Sequence, residues 1–196
     1  MIINRDTLHF NFREIDGYNK DIEVVISARE PGKTTSAWLD KVYAPWKKDG
    51  RPWIYMSRNA VDFTEEHLHT IQDQYINKFL RDDEKITLQF TASKAGVASI
   101  LDVKIDNKIF FRCVSLNAKM RTIKSNILAN ARGALMDEFI CNPKLGEKYL
   151  PDEWARIQEA YSTWKRACNN EKSNFKHIGA GVVARSGSAT ATATAN

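Results

Sequence analysis

The chain has 196 residues, 43% hydrophobic and 27% charged, with a formal net charge of +5 and a pI of about 9.1. That length and apolar fraction suffice for one globular domain with its own core, and the small basic excess permits a polyanionic partner without requiring one. Cys113, Cys141 and Cys168 lie far apart with no CxxC pair, which argues against a zinc site or a disulfide framework and for a reducing compartment. No basic stretch followed by an apolar segment opens the chain, and no apolar run nears the roughly 20 residues of a membrane span, so a soluble, intracellular domain is expected.

The short β-branched run Ile22-Glu23-Val24-Val25-Ile26 reads as a buried parallel strand, and a helix is expected to follow from Thr34 to about Lys48. After the turn Asp49-Gly50-Arg51-Pro52, Trp53-Ile54-Tyr55-Met56 reads as a second strand, and Thr64-Glu65-Glu66 opens a polar-faced helix reaching about Leu80. Strands then dominate: Ile86 to Phe90, Ser99 to Ile105 and Lys108 to Leu116, with Asp106-Asn107 as a hairpin turn. Gly133-Ala134-Leu135-Met136 is a further buried strand, Pro151 precedes a helix from Asp152 to about Cys168, and Phe175 to Val183 offers one more strand. Alternating strands and helices with an extra hairpin point to an α/β three-layer sandwich over residues 1–183. The Ser, Gly, Ala and Thr run that follows lacks the apolar residues needed to offset ordering entropy, so 184–196 reads as a low-complexity tail or linker.

Ser27-Ala28-Arg29-Glu30-Pro31-Gly32-Lys33-Thr34 matches the end of a Walker A phosphate loop, with Ser27 standing where the first glycine belongs. The loop lies between an expected strand and an expected helix, the context in which backbone N–H groups and a helix N-terminus cradle phosphates. In that geometry Gly32 lets the backbone approach, Lys33 reaches the β- and γ-phosphates, and the Thr34 hydroxyl ligates Mg²⁺; the nucleotide-contacting stretch extends to Thr35. Pro31 removes one donor and Glu30 must turn its carboxylate away. Taken alone, the tripeptide Gly-Lys-Thr is also compatible with an ordinary strand-to-helix turn.

A second motif adds weight. The apolar strand 133–136 ends in Asp137-Glu138, as a Walker B strand does: Asp137 is suited to hold Mg²⁺ and Glu138 to polarise the attacking water. A solvated acidic helix start is the bland reading of the same pair.

With both motifs in view, the stretch from Val24 to Arg166 resembles the DNA-packaging ATPases of phi29-type bacteriophages. The resemblance rests on Val25-Ile26-Ser27-Ala28-Arg29 through Gly32-Lys33-Thr34, Trp53-Ile54-Tyr55-Met56-Ser57-Arg58, Lys124-Ser125-Asn126, Met136-Asp137-Glu138-Phe139-Ile140, Tyr149-Leu150-Pro151 and Thr163-Trp164-Lys165-Arg166. It implies a P-loop ATPase of the additional-strand, catalytic-glutamate class with a mostly parallel central sheet. It further implies a homomeric ring, a pentamer, docked on the portal of a procapsid with packaging RNA and driving double-stranded DNA inward. The place of action implied is the cytoplasm of the infected bacterium, with no part in the mature virion. By position, Arg166 matches an arginine finger and Lys124 a second basic residue offered across the subunit interface. Arg166 near a helix C-terminus also suits the helix dipole, and Lys124 also suits a solvated surface. Arg58 is open between sensing nucleotide, holding Glu138 idle and lying on the surface.

The family's longer members carry a nuclease-like second domain, which this sequence does not show. Trp38, Trp46, Trp53, Trp154 and Trp164 fall on expected elements and read as core rather than stacking platforms. His67 and His69 project to different helix faces, so no metal site beyond Mg²⁺ is expected. The adenine pocket is sought in the segment from Phe10 to Tyr18. Two other classes remain: a different P-loop enzyme, such as a helicase-like translocase or a nucleotide kinase, and a non-catalytic nucleic-acid-binding module with a decayed loop.

Overall fold

The computed structural model describes residues 22–25, 32–95, 98–118, 131–137, 141, 146, 148–169 and 178–181, with backbone alone for 22–25, 92–95, 98–99, 164–169 and 178–181. The strands are β1 (Ile22–Val25), β2 (Trp53–Ser57), β3 (Gln89–Ala95), β4 (Ala98–Ile105), β5 (Lys108–Ser115), β6 (Gly133–Met136) and β7 (Ile178–Gly181). Five of them form a sheet in the order β3-β4-β5-β2-β6. β2 runs parallel to both β5 and β6, while the antiparallel pairings are confined to β3, β4 and β5. β1 and β7 pair in parallel, Ile22 opposite Ile178, and β7 also lies alongside β6.

β2 explains why helices cover both faces of this sheet. Trp53 and Tyr55 point into one hydrophobic cluster, and Ile54 and Met56 into the other, because side chains alternate along a strand. A strand buried on both faces has no polar side to show, hence the unbroken apolar run. The first face is covered by α1, continuous from Lys33 through a π-helical stretch (Ala37–Tyr43) to Asp49, and by α2. α2 passes from Glu65–Thr70 through π-helical Ile71–Ile76 to a last turn at Asn77–Phe79. The second face is covered by α3 (Glu153–Asn169), which buries Ile157 and Ala160 one turn apart. The result is the expected α/β arrangement with helices on either side of a mixed sheet, whose five strands make two parallel and two antiparallel pairings.

Local chemistry sets the boundaries. Thr64 caps α2 by accepting from the His67 N–H at 3.1 Å, with Glu65 and Glu66 in the first turn. α1 ends at Gly50, whose φ of 71° and bond from its N–H to the Trp46 carbonyl close the helix. Asp106 and Asn107 take positive φ of 49° and 62°, the signature of the tight hairpin expected there. Two of the boundaries that differ from the sequence reading have a visible cause. β3 begins at Gln89 rather than Ile86, because α2 side chains capture the preceding backbone: Asn77 Oδ1 accepts from Ile86 N–H at 2.8 Å and Gln72 Oε1 from Leu88 N–H at 2.7 Å. α3 begins at Glu153 because Asp152 sits at a positive φ of 54°.

Aromatic packing dominates the first cluster. Trp38 lies 5.0 Å from Phe111 and 5.1 Å from Tyr55, centroid to centroid, and Phe110 contacts both Trp46 and Phe111 at 5.1 Å. Trp38, Trp46 and Trp53 are core residues as expected; Trp154 is not, being 43% exposed on the outer side of α3, and the Trp164 side chain lies outside the described residues. The segment 184–196 also lies outside them. Among the described residues, no helix is long and apolar enough to cross a membrane. Phe111→Ala is expected to cost ~3–5 kcal/mol, read as a fall in the urea midpoint, whereas Val61→Ala, at a position 80% exposed, should shift stability by no more than ~0.5 kcal/mol.

Candidate nucleotide site

The site forms where α1 begins. Gly32 precedes the helix in the left-handed region, φ 73° and ψ 16°, and its carbonyl accepts from the Ser36 N–H at 2.9 Å. A residue with a Cβ is strained at such a φ, so the glycine at this point is a backbone requirement. Lys33 and Thr34 form the first helical turn immediately after it, and Thr35 is half-buried beside them.

Opposite them stands Asp137, the residue that leaves β6. The Thr34 hydroxyl faces the Asp137 carboxylate at 3.5 Å, the outer limit of a hydrogen bond. Lys33 is only 3% exposed. Burial pushes its ammonium below the ordinary lysine range, and the negative charge of Asp137 pulls it partly back up. Two of the expected loop residues and one expected metal ligand thus meet across more than a hundred positions of sequence.

A cavity of about 460 Å³ opens in front of this pair. Thr34 and Asp137 form one end, and the end of β2 supplies Tyr55, Ser57, Arg58 and Asn59. The Tyr55 hydroxyl and His67 Nε2 share a hydrogen bond of 2.7 Å with their rings stacked. Ser57 Oγ donates to Asp62, whose carboxylate also accepts from the Asn59 N–H at 3.1 Å. Arg58 is neither a surface residue nor aimed only at solvent: its guanidinium forks onto Glu153, Nε to Oε2 at 2.8 Å and Nη2 to Oε1 at 2.9 Å, with both side chains largely buried.

Chemically, the site offers a cation in a low-dielectric wall, a hydroxyl and a carboxylate. Hard oxygen donors of this kind suit Mg²⁺ when phosphate oxygens and water complete its shell; among the described residues no group of three His, Cys, Asp or Glu gathers as an all-protein metal cage. Ser27, Ala28, Arg29, Glu30, Pro31, Lys124 and Glu138 lie outside the described residues, as does the segment Phe10 to Tyr18. Arg166 lies on α3, with its side chain outside the description. The sequence reading missed Tyr55, Ser57, Asp62, His67 and Lys148 as residues lining the cavity and Glu153 as the partner of Arg58; the one available signal was that polar residues at the carboxyl end of a parallel strand are placed for ligands.

 Among the missed residues, Glu153 matters most, because it is the partner of Arg58.

A helix-flanked sheet whose glycine turn presents Lys33 and Thr34 to a strand-end aspartate defines an α/β domain with a polar cavity at the sheet edge. Among solved structures, the fold is similar to that of the N-terminal domain of the DNA packaging ATPase from bacteriophage phi29, with a TM-score of 0.61, 20% identity, and coverage of 90% of this chain and 79% of that one. It is also similar to the Phi-28 gp11 DNA packaging motor, with a TM-score of 0.55, 15% identity, and coverage of 89% of this chain and 49% of that one. The chain therefore spans about half the length of the gp11 motor. No protein-family model and no curated protein matches the sequence. The structural neighbours are thus phage packaging ATPase domains, and what is shared with them is the fold.

The electrostatics of Lys33 give a direct test. Its folded pKa lies below its unfolded value, so the buried ammonium is a cost to folding at low pH that fades as pH rises toward the ordinary lysine range. Asp137→Asn removes the charge that raises this pKa, and an NMR titration of the Lys33 side chain should find it lower still; an unchanged or higher value would contradict the assigned contact.

Proposed function

We propose that this chain is the ATPase motor domain of a phage DNA-packaging machine, hydrolysing ATP with Mg²⁺ and coupling turnover to movement of double-stranded DNA into a procapsid. The observation that carries the reading is the meeting of Lys33 and Thr34, at the start of α1, with Asp137 at the end of β6. The position of β7, paired with β1 and alongside β6, supports the additional-strand class of P-loop ATPases, in which one strand separates the phosphate-loop strand from the acidic strand. Both structural neighbours, a DNA packaging ATPase and a DNA packaging motor, support the packaging role.

Each residue then has a part. Lys33, held in a poorly solvated wall, offers a phosphate more attraction than an exposed lysine would, and a bound phosphate in turn favours its charged form. Thr34 and Asp137 would hold Mg²⁺, which would supply positive charge to offset the negative charge developing on the phosphate. Glu138, the next residue after Asp137, orients and polarises the water that attacks the γ-phosphate. Arg166 of a neighbouring copy neutralises charge at the same phosphate, with Lys124 as a second cation. The expected partners are double-stranded DNA, further copies in a ring, the portal and packaging RNA.

Phosphate release by the full chain with ATP and Mg²⁺ tests the chemistry. Lys33→Ala and Glu138→Gln should each lower turnover on the order of 10²-fold or more, and persistent turnover in both would sink the proposal. Mixing Arg166→Ala with Glu138→Gln chains should recover part of the activity if the finger acts between copies; mixed assemblies without recovery would count against that role.

A further inference from the structure

We infer that Arg58 and Glu153 are a positioning pair that sets the direction of α3, and with it Arg166, from the wall of the nucleotide site. The inference rests on the reading of that site as an ATPase centre.

Three observations converge on the pair. Arg58 lines the same cavity as Thr34 and Asp137, so one end of the device sits at the chemistry. Its backbone is fixed there, its carbonyl accepting from Ser115 Oγ at 2.9 Å and from the Asn117 N–H at 3.2 Å, which locks the tips of β2 and β5 together. The other end is the first turn of α3: Glu153 takes both arms of the guanidinium and also accepts from the Leu150 N–H at 3.0 Å. The Tyr149 ring lies 5.2 Å from the guanidinium carbon, and one turn along α3 Arg156 donates to the Leu116 carbonyl at 3.0 Å.

A buried ion pair of this kind adds little net stability over an apolar contact of equal volume. What a two-armed fork adds is direction, since both N–H donors must meet both oxygens. Direction matters because α3 is long. At 1.5 Å per residue, Arg166 lies ~20 Å along the helix from Glu153, so a tilt of about 10° at the first turn moves that end by ~3.5 Å. A misplacement of roughly 1 Å at a reacting centre can already cost about 10²-fold in rate. Arg58 therefore acts through α3 and not on the nucleotide.

The test uses the full chain with three changes: Arg58→Met, Arg58→Lys, and Arg58→Met with Glu153→Leu. Urea midpoints, kcat and KM for ATP are measured for each. The single Arg58→Met leaves a buried carboxylate and should lose both stability and kcat. The apolar double variant should regain a near-wild-type midpoint while kcat stays down by about tenfold or more and KM changes by less than about threefold. Arg58→Lys, which keeps the charge and loses the fork, should be close to wild type in stability and still reduced in kcat. The inference is overturned if the double variant turns over like wild type, if kcat across the series merely follows stability, or if KM rises while kcat holds, which would mean direct nucleotide contact. Should the double variant fail to fold, the Arg58→Lys comparison decides alone. A wild-type chain that binds but never hydrolyses ATP would instead sink the ATPase reading, and this inference with it.

Discussion

Parallel pairing of β2 with both β5 and β6 is the constraint from which the site follows. Strands that run the same way end at the same edge, and in open α/β sheets that edge is where ligands gather. Asp137 leaves β6, Ser57 and Arg58 lie at the end of β2, and Ser115 and Leu116 at the end of β5. Reversing one of these pairings would send its polar end residues to the opposite edge. The two-sided apolar character of β2, with Trp53 and Tyr55 on one face and Ile54 and Met56 on the other, is what keeps it central and parallel.

On that edge, the design concentrates charge where burial makes it expensive. Lys33 is held against its own solvation preference, with Asp137 as partial compensation, and Arg58 and Glu153 are withdrawn from water together. Both arrangements are costly to bury; Lys33 is the group placed to meet an entering anion, as a cation that water screens poorly. The left-handed Gly32 belongs to the same economy of strain: it turns the chain so that Lys33 and Thr34 start the helix facing Asp137.

The two faces of the sheet have different duties. The aromatic cluster around Trp38, Phe110 and Phe111 anchors α1, and so the turn that presents Lys33 and Thr34. The smaller aliphatic cluster seats α3 through Ile157 and Ala160, and the polar ties at Arg58 and Arg156 add direction to that seat. One face thus fixes where phosphate chemistry is expected; the other fixes where the helix bearing Arg166 points.

Much of the architecture was legible in the amino-acid order. The β-branched run at 22–25, the apolar stretch at 53–56 and the Asp106-Asn107 turn each carry local signals strong enough to survive folding, and the spacing of Gly32-Lys33-Thr34 and Asp137 marks them as a pair in the sequence itself. The start of β3 was not legible, because Ile86 and Leu88 give their hydrogen bonds to Asn77 and Gln72 of a helix that only tertiary packing brings near. Arg58 was left open for the same reason: its partner lies 95 positions away, and no local pattern reports a contact of that range. Local propensity and motif spacing determined which residues are candidates for phosphate chemistry. The tertiary structure alone decided which of them meet, because burial and charge pairing depend on the register of strands far apart in the chain.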